Sequence, residues 1–164
     1  MTPRPASTVF RALMGAALLA TLAACSSGPV RRVSEPAARL QQVTVNADGS
    51  WTALVRIENY SSIPMRFDRF SLALEAAGQE AGTLQASPGL DIGLESADVV
   101  ETRLVPSAGA KLAAADALAG GRSLGYALRG EVFATPDESS KQREFEVEHR
   151  STLSPAPGLP GVLR

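Results

Sequence analysis

Through the middle of the chain, apolar and polar residues alternate with a period of two. In SWTALVRIENY, Trp51, Ala53, Val55 and Ile57 fall on one side, and Thr52, Arg56 and Glu58 on the other. Phe70, Leu72, Leu74 and Ala76 share a side further on, as do Leu124, Tyr126, Leu128, Gly130 and Val132. Phe145 and Val147 alternate with Glu144, Glu146 and Glu148. This period belongs to an antiparallel strand with one dry and one wet face. Weaker strands are predicted over residues 40–46, 79–86, 90–94 and 98–105.

The punctuation fits such strands. Ala47-Asp48-Gly49 reads as a tight hairpin, since the Asp-Gly pair tolerates the positive φ that such turns need. Ala77-Gly78 and Pro88-Gly89 mark two further turns. One segment departs from the pattern. Residues 107–119, SAGAKLAAADALA, are rich in the strongest helix former. They begin at Ser107 and stop at Gly120-Gly121, and Leu112, Ala115 and Leu118 are expected to face the core. About seven strands with one short helix before the penultimate strand predict an all-β, antiparallel, fibronectin III-like sandwich. A small antiparallel barrel is the alternative. Trp51, Phe70, Tyr126, Phe133 and Phe145 are the large side chains expected to fill the core.

The first 25 residues follow a different logic. Arg4 and Arg11 are the only charges before Cys25, and residues 12–24, ALMGAALLATLAA, carry none. A positive start, a short apolar run and small residues at the end are the order of a secretory signal. A bilayer-spanning helix needs about 20 apolar residues, and Ser26-Ser27-Gly28-Pro29 stops this run short. Leu22-Ala23-Ala24-Cys25 resembles the lipobox of bacterial lipoproteins, in which the cysteine thiol receives a diacylglycerol before cleavage. The resemblance implies cleavage between Ala24 and Cys25, with Cys25 acylated as the membrane anchor. An ordinary cleaved signal with an incidental Cys25 is the competing reading. Cys25 is the single cysteine of the chain, so it has no disulfide partner within it. Ser26, where inner-membrane retention uses Asp, leans the expectation toward an outer-membrane protein facing the periplasm.

These segments set the expected organisation: a signal peptide over 1–24, lipidated Cys25 and a flexible tether over 25–38, a sandwich over 39–150, and a Pro-rich tail over 151–164. Prolines at 155, 157 and 160 favour extended, unpaired backbone, so removing residues 154–164 is expected to leave the folding midpoint unchanged. Without Arg4 and Arg11 the chain has 14 basic and 17 acidic side chains, a net charge of −3. No basic field points to nucleic acid.

Candidate chemistry is sparse. His149 is the one histidine, expected half-buried at a strand end, and a zinc site needs three or four ligands. No G-x-S-x-G elbow accompanies it. Asp91, Glu95, Asp98 and Glu101 form a loose acidic run whose spacing suits a solvated surface better than a calcium site. No cofactor, metal or catalytic residue is assigned. Arg56, Arg66, Arg69 and Arg129 are candidates to share a region, and Leu159, Val162 and Leu163 are candidates for a strand-adding or groove-filling peptide.

The order of elements resembles the water-stress and hypersensitive-response (WHy) domain of type 2 late-embryogenesis-abundant (LEA) proteins. That pattern has a strand ending in Asn-Pro-Asn, a Pro-containing turn, a Gly turn, a short helix and a closing strand with a glycine. Asn59-Tyr60-Ser61 stands at the triplet and keeps only its first residue; Pro64 stands in the turn and Gly130 in the closing strand. The resemblance spans roughly residues 40–147 and implies a sandwich without a catalytic site, associated with protection under desiccation and other stress. The function expected is therefore a non-catalytic, lipid-anchored envelope protein in stress protection or scaffolding. The alternative is an accessory that binds a protein of an envelope assembly or transport machine.

Overall fold

The computed structural model describes residues 31–137 and 139–164. The signal peptide, its cleavage point at Ala24 and the lipidation candidate Cys25 lie outside the described residues. Nine strands and one helix are described. They are β1 (Ala37–Val45), β2 (Trp51–Asn59), β3 (Met65–Ala76), β4 (Gln79–Ala86), β5 (Leu90–Ile92), β6 (Ser96–Leu104), α1 (Ala108–Ala119), β7 (Leu124–Pro136), β8 (Arg143–Leu153) and β9 (Val162–Leu163).

Two antiparallel sheets face each other, one in the order β6-β2-β1-β9 and the other β4-β3-β7-β8, with β5 on the lower end of β3. Three long strands thus oppose four, as in a fibronectin III-like sandwich, and neither sheet closes into a barrel. The alternating positions do what their period predicts. Trp51, Ala53, Val55 and Ile57 of β2 point inward against Leu72, Leu74, Leu128 and Val132, all at 3% exposure or less. Burial of an apolar side chain of this kind stabilises by about 1.5–3 kcal/mol.

Two bulges adjust that alternation. In β3 the pairing with β7 shifts between Phe67 and Arg69, so Asp68 is the extra residue and both Phe67 and Phe70 turn inward. In β1 the shift falls between Leu40 and Gln42, letting Leu40 and Val43 share the dry face. The bulge in β1 leaves backbone groups that Tyr126 serves from the opposite sheet. Its hydroxyl accepts from the Leu40 N–H at 3.2 Å, and burial pushes its phenol up. A bulge leaves its extra residue unpaired, and this bond ties β7 to β1 beside it.

Four sequence expectations give way. The helix turns Ala110, Ala114 and Ala117 inward, while Leu112 is 73% exposed. Of the predicted stripe, Leu118 packs against the core in part, while Ala115 is exposed with Leu112. Ser107 caps its start by accepting from the Ala110 N–H, and Gly121, at φ +60°, ends it with the Arg122 N–H donating to the Ala117 carbonyl. Phe133 lies outside the core cluster: its side chain points to the outer face of β7 and is covered by Arg69, 3.6 Å from the ring centre.

The remaining two expectations concern the termini. The segment assigned to the tether is built into the fold from Arg32 onward, and β1 begins at Ala37. The Pro-rich tail is also folded. β8 runs to Leu153, the chain turns at Gly158 and Gly161 (φ +76° and +75°), and β9 pairs Val162 and Leu163 with Thr44 and Val43. Leu163 is fully buried. Pro155 bridges Leu163 between the Ser154–Arg164 and Ala156–Val162 backbone bonds, at a place that asks no hydrogen bond of its nitrogen, and Pro157 and Pro160 lie in the turn that returns the chain to β1.

Candidate functional site

The sandwich end that carries the β2–β3 loop holds the most elaborate polar structure in the described chain. Asn59, the last residue of β2, faces inward and is 1% exposed. Its Nδ2 group lies 3.0 Å from the Ile63 carbonyl, 3.2 Å from that of Ile92 and 2.9 Å from that of Gly93. Its Oδ1 accepts from the Ser61 N–H at 2.9 Å, closing an Asx turn. One side chain therefore satisfies the backbone of two loops, which buried carbonyls require. The Ser61 carbonyl accepts from the Glu95 N–H at 3.1 Å, joining the loops a second time. Pro64 is exposed at the base of β3, and its carbonyl accepts from the Asp137 N–H.

The incoming chain docks on the same loop. Ser62 N–H donates to the Arg32 carbonyl at 3.0 Å, Arg32 N–H to Ser62 Oγ at 2.8 Å, and Ser34 N–H to Ser61 Oγ at 3.0 Å. Ser61 is fully buried by this contact.

Beside the loop, the outer face of β1 and β2 carries a charge cluster. Arg39 and Arg56 oppose each other across the strands, and Glu58 bridges them at 2.7 and 3.1 Å. Tyr60 donates its hydroxyl proton to the other oxygen of Glu58 at 2.6 Å. Burial works to raise the Glu58 carboxyl, but the bonds from Tyr60 and Arg56 and the two arginine charges outweigh it and hold it below the usual carboxylate range. The bond to Glu58, aided by burial, pushes the Tyr60 phenol up. A shallow, open depression lies over Arg32, Arg56, Glu58 and Tyr60.

Gly130 stands elsewhere, in mid-β7, opposite Leu72 of β3 and Val147 of β8. Its φ of +155° would place a Cβ 2.1 Å from the Ser71 carbonyl oxygen and 3.0 Å from Leu72 Cα. Glycine in a strand interior often marks such a close approach. Gly130→Ala is expected to lower folding stability by about 2–3 kcal/mol through overpacking and backbone shift. Urea unfolding monitored by Trp51 fluorescence measures it, and a loss under about 0.5 kcal/mol, the level of an ordinary surface change, would contradict the close approach.

The structure does not gather the four candidate arginines. Arg56 lies on the outer face of one sheet with Glu58; the other three belong to the opposite sheet, Arg66 with Asp68 and Asp91, Arg69 over Phe133, and Arg129 with Glu148. The acidic run is dispersed as well, with Asp91 paired to Arg66 and Asp98 and Glu101 spread along β6 opposite Ile57 and Leu54. Among the described residues no three potential ligands converge on a metal position. His149 is half-buried, its ring 6.0 Å from that of Tyr126.

The opposite end of the sandwich carries the Asp48–Arg103 and Asp116–Arg122 ion pairs and, beside them, an apolar feature. A trough there is lined by Ala115, Leu118, Pro155, Ala156, Leu159 and Pro160, and Leu112 and Leu159 are exposed in this region. Sequence reasoning missed this trough because it took the tail as unfolded.

Neither a protein-family model nor a curated protein matches this chain. Three solved structures are similar to this chain at TM-scores below 0.5. One is an Arabidopsis thaliana protein, 16% identical, with a TM-score of 0.47 over 78% of this chain and 83% of its own. An Archaeoglobus fulgidus protein is 14% identical, with a TM-score of 0.37 over 74% of this chain and 97% of its own. A third, described as a candidate LEA protein, is 15% identical, with a TM-score of 0.43 over 92% of this chain and 86% of its own. At these scores no residue role carries over.

Proposed function

We propose that the chain is a lipid-anchored protein of the bacterial cell envelope, held by Cys25 and facing the periplasm, whose LEA-like sandwich acts without catalysis in stress protection or scaffolding. The observation that carries the non-catalytic part is that the three carboxyls whose acidity the surroundings change are each held by neighbouring donors. Glu58 is bound by Arg39, Arg56 and Tyr60, Asp48 by Ser50 and Arg103, and Glu148 by Arg129 and Arg150. The carboxyls so held are lowered, Asp48 by the Ser50 hydroxyl first and Glu148 by the Arg129 hydrogen bond first. General acid–base work asks for a carboxyl raised toward neutrality, so these groups are tuned the opposite way. The anchor itself rests on the sequence around Cys25, and two or more acyl chains hold a protein firmly to a bilayer.

The chain from Ser26 onward is expected to keep a labile enzyme active through drying and rehydration better than an inert protein of equal mass. Equal recovery with both would count against the protective role. A second reading, an accessory that binds a protein of an envelope machine, is favoured by the apolar trough at the end away from the β2–β3 loop. That reading expects no drying protection, and loss of function in the cell when Leu112 and Leu159 are both changed to Ser.

A further inference from the structure

We infer that the end of the sandwich bearing Tyr60 and Leu94 rests on the lipid bilayer, an orientation that depends on the Cys25 anchor proposed above. Three observations converge on it. The first is the point of entry. Arg32 and Ser34 are fixed to Ser62 and Ser61 by reciprocal hydrogen bonds, so the chain coming from Cys25 meets the domain at this end and is held there.

The second is reach. Five residues separate Cys25 from Arg31, and six extended steps span at most about 20 Å. The 13 residues of β7 extend for about 40 Å at about 3.3 Å per residue. The tether is thus shorter than the sandwich is long, and a lipidated Cys25 keeps the β2–β3 loop end, not the trough end, within reach of the membrane surface.

The third is the chemistry of that end. Tyr60 and Leu94 are 50% and 56% exposed, on two loops joined by the Glu95 N–H to Ser61 carbonyl bond. An aromatic ring with a polar tip and an aliphatic side chain suit the headgroup boundary of a bilayer. Arg31 and Arg32 lie exposed on the entering chain, where each cation near an anionic surface contributes about 1 kcal/mol. Glu35, Asp91, Glu95 and Asp137, also exposed at this end, offset that attraction. The surface therefore fits a bilayer of mixed charge, with the apolar pair setting the contact. The remaining large exposed apolar residues described, Val105, Leu112 and Leu159, sit at the other end and are left facing the aqueous side.

The lone cysteine makes a clean test. With Cys25 acylated, a single introduced thiol is the only one free to label. Mature lipidated Leu94→Cys and Leu112→Cys proteins, each carrying a nitroxide, are reconstituted in phosphatidylethanolamine–phosphatidylglycerol vesicles. Collision with a water-soluble nickel relaxant is measured by electron paramagnetic resonance, against the same proteins in detergent-free buffer after lipase release. The label at position 94 is expected to lose severalfold of its relaxant accessibility on vesicles, with the label at 112 unchanged. Equal accessibility at both positions, or protection at 112 alone, overturns the orientation. Mass spectrometry of the N-terminal peptide separates the two layers of the inference: absence of the diacylglyceryl mass on Cys25 removes the anchor, and the orientation with it.

Discussion

Removal of residues 154–164 is expected to lower the thermal midpoint by about 10 °C or more, since each kcal/mol is worth several degrees in a domain of this size. The loss has three parts. Leu163 leaves the core, where it is fully buried beside Val43. A buried Leu→Ala change alone costs about 2–5 kcal/mol through lost transfer energy and the cavity left behind. The outer edge of β1 then loses its partner, including the bond from the Val45 N–H to the Gly161 carbonyl at 2.8 Å. Pairing between Ser154 and Arg164, which holds the end of β8 to the C-terminus, goes too. Leu163→Ala in the intact chain isolates the first part, and it should account for about 2–5 kcal/mol. Calorimetry on both variants checks the ordering, and an unchanged midpoint in the truncated chain would show that β9 adds nothing to the fold.

The tail shows where sequence reasoning stops. A strand of two residues has no room for alternation, so Val162 and Leu163 stood only as candidates for a strand-adding peptide, and the three prolines argued against pairing nearby. β2, β3 and β7 were legible because each repeats the dry–wet pattern four times or more. β4 has the bounds its pattern predicts. Bulges are harder to read: Phe67 and Phe70 lie three apart and cannot share a flat strand face, and their joint burial required an extra residue at Asp68. The face of α1 was misread for a related reason. In an alanine-rich helix the leucines are the conspicuous apolar residues, but the buried face is that of Ala110, Ala114 and Ala117, with Leu118 packed against the core only in part.

The loop at Asn59 was partly legible. Resemblance to the WHy domain marked that residue, the first of the triplet, while the Asx turn it closes with the Ser61 N–H came only with the structure. What the sequence could not display is the convergence of Ile63, Ile92 and Gly93 on one amide, because two of those carbonyls come from a loop more than thirty residues away. The same blindness hid the docking of Arg32 and Ser34, which looked like tether by composition. Both features sit at one end of the sandwich, so the residue that organises its loops also sets the platform to which the chain from Cys25 is fastened.

Asn59→Asp is therefore expected to be the most damaging single isosteric change, costing about 3–5 kcal/mol near neutral pH, the range for an uncompensated buried charge. The two side chains are nearly equal in shape, so packing is held constant and the chemistry alone is tested. An ionised carboxylate donates nothing to the carbonyls of Ile63, Ile92 and Gly93 and places a negative charge against their oxygens, although it still accepts from the Ser61 N–H. Burial and those dipoles disfavour its charged form, which raises its folded-state pKa above the unfolded value. A raised pKa means the folded state holds the proton longer. The variant is then most stable below the ordinary aspartate range and loses stability as pH rises through its folded pKa. The neutral acid returns one donor, so recovery at low pH should be partial. Urea unfolding of the variant from pH 4 to pH 8, each point referred to the wild-type chain at that pH, should show the deficit growing with pH. A deficit independent of pH would mean that the carboxylate escapes to solvent by opening the loop, and the Asn59 amide would then be a convenience rather than the clasp of this end of the sandwich.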